Sequence, residues 1–288
     1  MSKLKVVTNV VDYIENNIES SIKIIDIVQY SGYSRRYIEL LFQEYSGSSL
    51  GAYIRSRKLT RACLYLRLTR MPISRISLSL KFSSQQNFSR EFKKFSGYTP
   101  YQYRKKEFWD LSVLKKTISI HTPPLPPLIV VSLNKTQIFG YEISYDVPIP
   151  HRNKDDKGTV HRWNSLLQQL NFYKKTMVLI TTYKPSLNSY DLLRVTTKIG
   201  VLKSSDSVSK ISYAYESGKY AKFEFTGPED KYTLFHQNIY LNVLPFYKIK
   251  RREGHDIEIF HFNESDLTNK NLKVDYYIPL FLDCIEFN

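Results

Sequence analysis

Arg36–Gly47 reads RYIELLFQEYSG and Gln86–Gly97 reads QNFSREFKKFSG, two copies of one pattern at an offset of 50. The offset pairs Ile38 with Phe88, Phe42 with Phe92, Tyr45 with Phe95, Ser46 with Ser96 and Gly47 with Gly97. Upstream the offset is 49, matching Ile24 to Ile73, Ile27 to Ile76 and Tyr33 to Phe82, so the second turn is one residue longer. Each copy is a short helix, a tight turn and a longer helix, which is the helix-turn-helix plan. One such corner is weak evidence, but two at a constant offset decide the fold of the first third of the chain.

Helical signals surround both copies. Val6, Val7, Val10, Val11, Ile14 and Ile18 recur at helical spacing and predict an opening helix. Ser34 is a natural N-cap for a helix over 35–45, and Ser46-Gly47 stops it. Residues 49–68 contain no proline and read as one long helix, broken at Met71-Pro72. Short helices follow at 73–80 and 100–104, on either side of one at 85–95. A 20-residue helix is about 30 Å long, close to the roughly 34 Å between successive major-groove windows on one face of DNA. The repeat could therefore offer two reading helices to adjacent grooves from one chain, with some bending of the duplex.

Charge agrees. The 288 residues carry 42 basic and 27 acidic side chains, a net +15. Residues 1–107 hold 19 basic and 8 acidic groups, a surplus of 11, against a surplus of 4 in residues 108–288. The positive field sits where a polyanion would be met. Hydrophobic residues make up 42%, which excludes wholesale disorder. No run approaches 18 apolar residues, and the N-terminal stretch has no apolar h-region, so neither a membrane span nor a secretory signal is expected. Two cysteines, Cys63 and Cys284, cannot form a disulfide framework and read as free thiols of a cytoplasmic protein.

Several stretches are recognisable: Gly32-Tyr33-Ser34, Gly51-Ala52-Tyr53-Ile54-Arg55, Leu66-Arg67-Leu68-Thr69, Ser84-Gln85-Gln86, Phe88 to Lys94 and Gly97 to Arg104. Over about residues 5–107 they resemble the AraC/XylS family of bacterial transcriptional regulators. The order, DNA-binding domain first, resembles the Rob-like arrangement, in which a GyrI-like domain follows. Ser34-Arg35-Arg36-Tyr37 looks more like the activators of capsular and fimbrial chaperone–usher operons, which share this architecture. The resemblance implies a sequence-specific activator that binds double-stranded DNA as a monomer, contacts RNA polymerase and works at the nucleoid.

In the second repeat Gln85, Gln86, Asn87, Ser89 and Arg90 keep the family pattern as base-reading candidates. Arg90 suits bidentate contact with guanine and Gln86 suits adenine or a phosphate. The first repeat departs: where Rob-like members carry Trp, Gln and Arg, this chain has Arg36, Glu39 and Leu40. Arg35 and Arg36 could grip guanine or phosphate, Glu39 could accept from cytosine N4 or merely balance the arginines, and Leu40 offers apolar contact. Ser34, Arg55, Arg57, Lys58, Arg61, Lys93, Lys94 and Arg104 are the phosphate candidates, with ordinary solvated charge as the competing reading. Tyr33, Phe42, Phe82, Phe88, Phe92 and Phe95 read as core.

After Trp109 the composition changes. A proline-rich stretch, 122–127, lies in an expected linker over 108–127. Beyond it β-branched and tyrosine-rich alternation predicts strands at 128–133, 137–146, 177–183, 192–201, 209–216, 219–226, 256–263 and 272–282, with helices at 160–173 and 228–243. The expectation is a multidomain protein, an all-α double helix-turn-helix domain over 1–107 and an α+β domain over 128–288 whose two similar halves share one sheet. Gly218 to Gly227, Arg251 to Glu258 and Tyr276 to Leu280 resemble GyrI-like domains. That resemblance implies a small-molecule effector held in an aromatic cleft with a buried acid, and a cation as its class. Glu258 and Asp275 match the acidic positions; Tyr220, Phe223 and Tyr277 are the aromatic candidates.

Catalysis is not expected. Gly47-Ser48-Ser49-Leu50-Gly51 fits G-x-S-x-G, but that elbow needs a strand before it and here a helix precedes it. The six histidines show no metal-ligand spacing, and no phosphate-binding or dinucleotide fingerprint is present, so neither metal nor cofactor is expected. The function read from the chain is an activator of a surface-antigen, fimbrial or virulence operon. The alternatives are a stress or efflux regulator controlled by a small cationic ligand, and a C-terminal domain that binds a partner or self-associates.

Overall fold

The computed structural model describes residues 2–118, 125–149, 157–202, 211–265 and 270–281, which fall into two compact units. The first holds seven helices: α1 (Lys3–Asn16), α2 (Ile24–Ser31), α3 (Arg35–Ser46), α4 (Leu50–Leu68), α5 (Ile73–Ser79), α6 (Gln85–Ser96) and α7 (Pro100–Lys105). They lie where periodicity and caps place them. Ser34 and Ser84 each accept a hydrogen bond from the third backbone N–H of their helix, Tyr37 at 3.3 Å and Asn87 at 3.0 Å. Gly47 and Gly97 end α3 and α6 in the left-handed region, at φ 68° and 79°, which favours glycine. The duplication extends to single atoms. Ser46 Oγ donates to the Ser48 carbonyl and accepts from its N–H, and Ser96 does the same with Tyr98.

Val6, Val7, Val10, Val11 and Ile14 of α1 pack with Ile27, Ile38, Leu41, Phe42, Leu50, Tyr53 and Ile54. The second repeat is built on rings: Phe88 lies 5.2 Å from Phe82 and 5.7 Å from Phe92, which meets Tyr103 at 5.5 Å. Of the aromatic residues expected in the core, Phe42, Phe88 and Phe92 are fully buried, while Tyr33, Phe82 and Phe95 are half-buried.

The second unit is an eight-stranded antiparallel sheet with two main helices. Its strands are β2 (Ile129–Leu133), β3 (Thr136–Pro148), β4 (Met177–Pro185), β5 (Leu192–Val201), β6 (Ser212–Tyr215), β7 (Gly218–Pro228), β9 (Asp256–Phe260) and β10 (Asn271–Pro279). Strand order is β2-β7-β10-β9-β4-β5-β3-β6. Two halves of like topology meet where β4 pairs with β9: β3, α8 (Lys157–Tyr173), β4 and β5 form one, and β7, α9 (Glu229–Asn238), β9 and β10 the other. Only Asn134 and Lys135 join β2 to β3, and only Glu216 and Ser217 join β6 to β7. Each connector spans about 11 Å at most, whereas six strand spacings in a flat sheet span about 29 Å. The sheet must therefore curl. Ile138, Val178, Ile180, Tyr215, Tyr220, Ile257 and Tyr277 fill its inside, and α8 and α9 cover the other face through Leu166, Leu170 and Tyr232, which pack with Phe260 of β9.

Three details differ from expectation. Helix α9 ends at Asn238 and continues as a π-turn over Ile239–Val243, ahead of Pro245, which has no N–H to return to Leu241. Within 108–127, β1 (Phe108–Asp110) pairs with β8 (Lys250–Arg252) in the second unit, and Val113–Ile118 groups with the first. Strand β9 stops at Phe260. Residues 119–124, with the first half of the proline-rich stretch, 209–210 and Cys284 lie outside the described residues.

Candidate nucleic-acid interface and ligand cavity

In the first unit, α3 and α6 each bury one side and expose another. Ile38, Leu41 and Phe42 anchor α3; Arg35, Arg36 and Leu40 are exposed, Leu40 by 62%. Phe88 and Phe92 anchor α6; Gln85, Gln86 and Arg90 are exposed, and Asn87 and Ser89 are half-buried. Arg90 is aimed by its own helix, because its Nη2 donates to Asn87 Oδ1 at 3.0 Å while Asn87 Nδ2 donates to Ser83 Oγ at 3.0 Å. Glu39 accepts from Arg35 Nε at 3.1 Å, one turn away, so part of its charge is already balanced.

The phosphate candidates divide. Ser34 is exposed and caps α3; Arg55, Lys93 and Lys94 are exposed. Arg55 lies 3.9 Å from Glu91, and the two lysines stand in the last turn of α6, where a cation meets the negative end of the helix. Lys58 is half-buried, and burial together with Lys81 lowers its pKa.

Arg57, Arg61 and Arg104 correct the sequence reading. Arg57 and Arg61 are each 7% exposed. Arg57 donates from Nε and Nη2 to the two carboxylate oxygens of Glu15, at 2.6 and 2.9 Å, and from Nη1 to the Lys115 carbonyl. Arg61 donates to Glu19 Oε1 at 2.6 Å, and the hydroxyls of Tyr53 and Tyr65 bind the same two acids. These arginines hold the N-terminal segment to α4. Arg104 donates to the carbonyls of Leu66, at 3.2 Å, and Met71, at 2.6 Å, closing the end of α4.

The second unit contains a cavity of about 760 Å³ between its sheet and helices. Tyr145, Trp163, Tyr183 and Tyr232 give it aromatic walls, Val147, Leu193 and Val195 an apolar side, and Glu258 an acid. Trp163 stacks on Tyr232 at 6.0 Å and donates to Glu229 at 2.6 Å. Glu258 is 1% exposed; it accepts from Tyr232 at 2.7 Å and from Arg162 Nη2, while Arg162 Nε donates to Thr197 at 3.1 Å. Burial is the largest single influence on the Arg162 pKa and lowers it, but the Glu258 charge together with Tyr145, Tyr183 and Tyr232 outweighs it and the net shift is upward.

His236, also in the wall, is held neutral by burial, which lowers its pKa. The Tyr276 hydroxyl donates a hydrogen bond to Asp256 at 2.5 Å, so its oxygen is left to accept from His236 Nε2 at 2.9 Å, which fixes the ring's tautomer.

Of the five effector candidates only Glu258 lines this cavity. Tyr220 and Tyr277 point to the opposite face of the sheet, and Asp275 shares that face, paired with Lys222 at 3.3 Å and His261 at 3.0 Å. Phe223 is fully buried away from the cavity walls. Arg162, Trp163, Tyr183, Tyr232 and His236 were not foreseen. One signal existed: Arg162 shares the stripe of Leu166 and Leu170, four and eight residues on, and a charge on a buried stripe must be paired.

Comparison with known proteins follows the two units. The model of a helix-turn-helix domain matches residues 27–106, and that of a GyrI-like small molecule binding domain matches residues 158–280. The chain is 35% identical to the F1 operon positive regulatory protein of Yersinia pestis, over 100% of this chain and 92% of that one. It is 25% identical to the transcriptional regulator Rob of Salmonella typhimurium, over 97% and 99%. Among solved structures, an AraC-type transcriptional regulator from Chromobacterium violaceum covers 35% of this chain and 94% of its own, at 33% identity and a TM-score of 0.34.

Proposed function

Because the chain belongs to the AraC/XylS family of helix-turn-helix transcriptional regulators, in the branch with a GyrI-like domain after the DNA-binding one, we propose that it activates transcription as a single copy spanning two adjacent major grooves. The observation that carries this reading is the matched pair α3 and α6, capped alike by Ser34 and Ser84 and exposing polar, basic sides from one helical unit. Arg36 and Leu40 read one half-site, with Arg35; Gln85, Gln86 and Arg90 read the other. Asn87 positions Arg90, and Glu39 tempers Arg35. Ser34, Arg55, Lys93 and Lys94 anchor phosphates, with Lys58 at the margin. Contact with RNA polymerase, a site of action at the nucleoid and a surface-antigen operon as target complete the proposal. The name of the Yersinia pestis relative, a positive regulator of an operon, supports activation.

The cavity of the second unit holds a small-molecule effector that modulates this activity. The test of the DNA reading is a pair of variants on a selected operator. Arg90→Ala relaxes base preference at one half-site only, and Arg36→Ala at the other, each by about 1–3 kcal/mol. Uniform weakening on all sequences by both variants would reduce them to phosphate contacts and contradict the assignment.

A further inference from the structure

The acid that would attract a cation into the cavity is already neutralised by the chain itself. Glu258 receives the Arg162 guanidinium and the Tyr232 hydroxyl, and Thr197 fixes the guanidinium from behind. A positively charged ligand would meet the same four aromatic walls with Arg162 seated among them and the matching carboxylate engaged. An anion drawn toward Arg162 would meet Glu258 directly beside it, and Glu229 and Asp230 along the wall. Those two acids are themselves engaged, Glu229 by the Trp163 indole N–H at 2.6 Å and Asp230 by Lys231 at 3.5 Å, and Lys270 shares the wall, so neither draws in a cation as an unpaired buried acid would. An uncharged flat molecule gains the aromatic and apolar walls and incurs neither repulsion.

We infer that the cavity takes an uncharged, flat molecule, and that Arg162 is the residue that excludes cations. This deepens the reading of the cavity as an effector site and rests on it. Arg162 acts here as a built-in counter-cation. Removing its charge while leaving Glu258 would turn the cavity into a cation site.

Calorimetric titration of the full chain with coumarin, which is uncharged, and methylene blue, a flat monocation, tests this. The unaltered protein binds coumarin at least tenfold tighter than methylene blue. Arg162→Met reverses that order, with methylene blue gaining at least tenfold, whereas Arg162→Lys keeps it. The double variant Arg162→Met/Glu258→Gln removes both charges, so it folds without an unpaired buried acid and shows no gain for methylene blue. Tighter binding of methylene blue than coumarin by the unaltered protein overturns the inference whatever the variants do, and so does a gain for methylene blue in the double variant. Binding of neither probe by any of these proteins overturns the effector-site reading itself.

Discussion

Arg57 and Glu15 are joined by two hydrogen bonds, 2.6 and 2.9 Å long, although the arginine belongs to the helix between the two helix-turn-helix repeats. A guanidinium so occupied is unavailable to phosphate. Arg57→Met is expected to lower the stability of the protein by about 1–3 kcal/mol, the cost of leaving a half-buried carboxylate with Tyr53 as a remaining side-chain donor. It leaves the slope of log affinity against log salt unchanged in the folded protein. Lys93→Met does the opposite: stability holds, and the slope falls by about one unit. Urea denaturation together with binding titrations at several salt concentrations measures both, and a slope change in Arg57→Met would return that residue to the interface.

The two helix ends that the repeat shares should respond alike. Gly47→Ala and Gly97→Ala place a Cβ at positive φ and are each expected to cost about 1 kcal/mol. Ser34→Ala and Ser84→Ala remove a side-chain cap at a similar cost, about 1 kcal/mol. Ser84→Ala also frays the first turn that holds Asn87 beneath Arg90. Chemical denaturation gives the energies. A neutral effect at one glycine and a large one at the other would break the equivalence of the repeats.

Acid should loosen the second unit first through histidine. Burial lowers the pKa of His236 and of His255 below the usual value near 6.5, so both are neutral when folded while the unfolded chain takes up protons. Their contribution is complete above about pH 6.5 and is lost as pH falls through the lower folded values. The Asp146 carboxyl, held down to about 2 by Arg194, Ser186 and Asn188 against the effect of burial, acts only in stronger acid. Thermal melts between pH 7 and 5 should show a falling Tm that His236→Gln flattens; an unchanged profile would mean that His236 is not the titrating group.

Much of this molecule is written in local pattern. Period-3.6 apolar stripes, serine caps and glycine stops mark α1–α7, and alternation marks β2–β7, because those signals depend on near neighbours alone. Strands β1 and β8 have three residues each, among charged flanks, and alternation cannot register over so short a run. The buried roles of Arg57 and Arg61 were hidden for another reason. A basic residue on a helix reads as solvated until its partner is known, although Glu15 and Glu19 repeat their spacing of four. In the second unit the acids could be found but not sorted. Glu258 and Asp275 both sit on strands beside β-branched and aromatic neighbours, and only the antiparallel register puts one under α8 and the other on the far face. The cavity walls come from two helices whose docking depends on that curled sheet, and no short stretch of sequence encodes it.

In the proposed reading one chain spans two successive major grooves. Hydroxyl-radical footprinting on a selected operator, with the mass of the same complex measured by native mass spectrometry, tests it most directly. The account predicts one protein per duplex and two protected windows of unlike sequence, about one helical turn apart on the same face. Two copies per duplex on a two-fold symmetric footprint would contradict it.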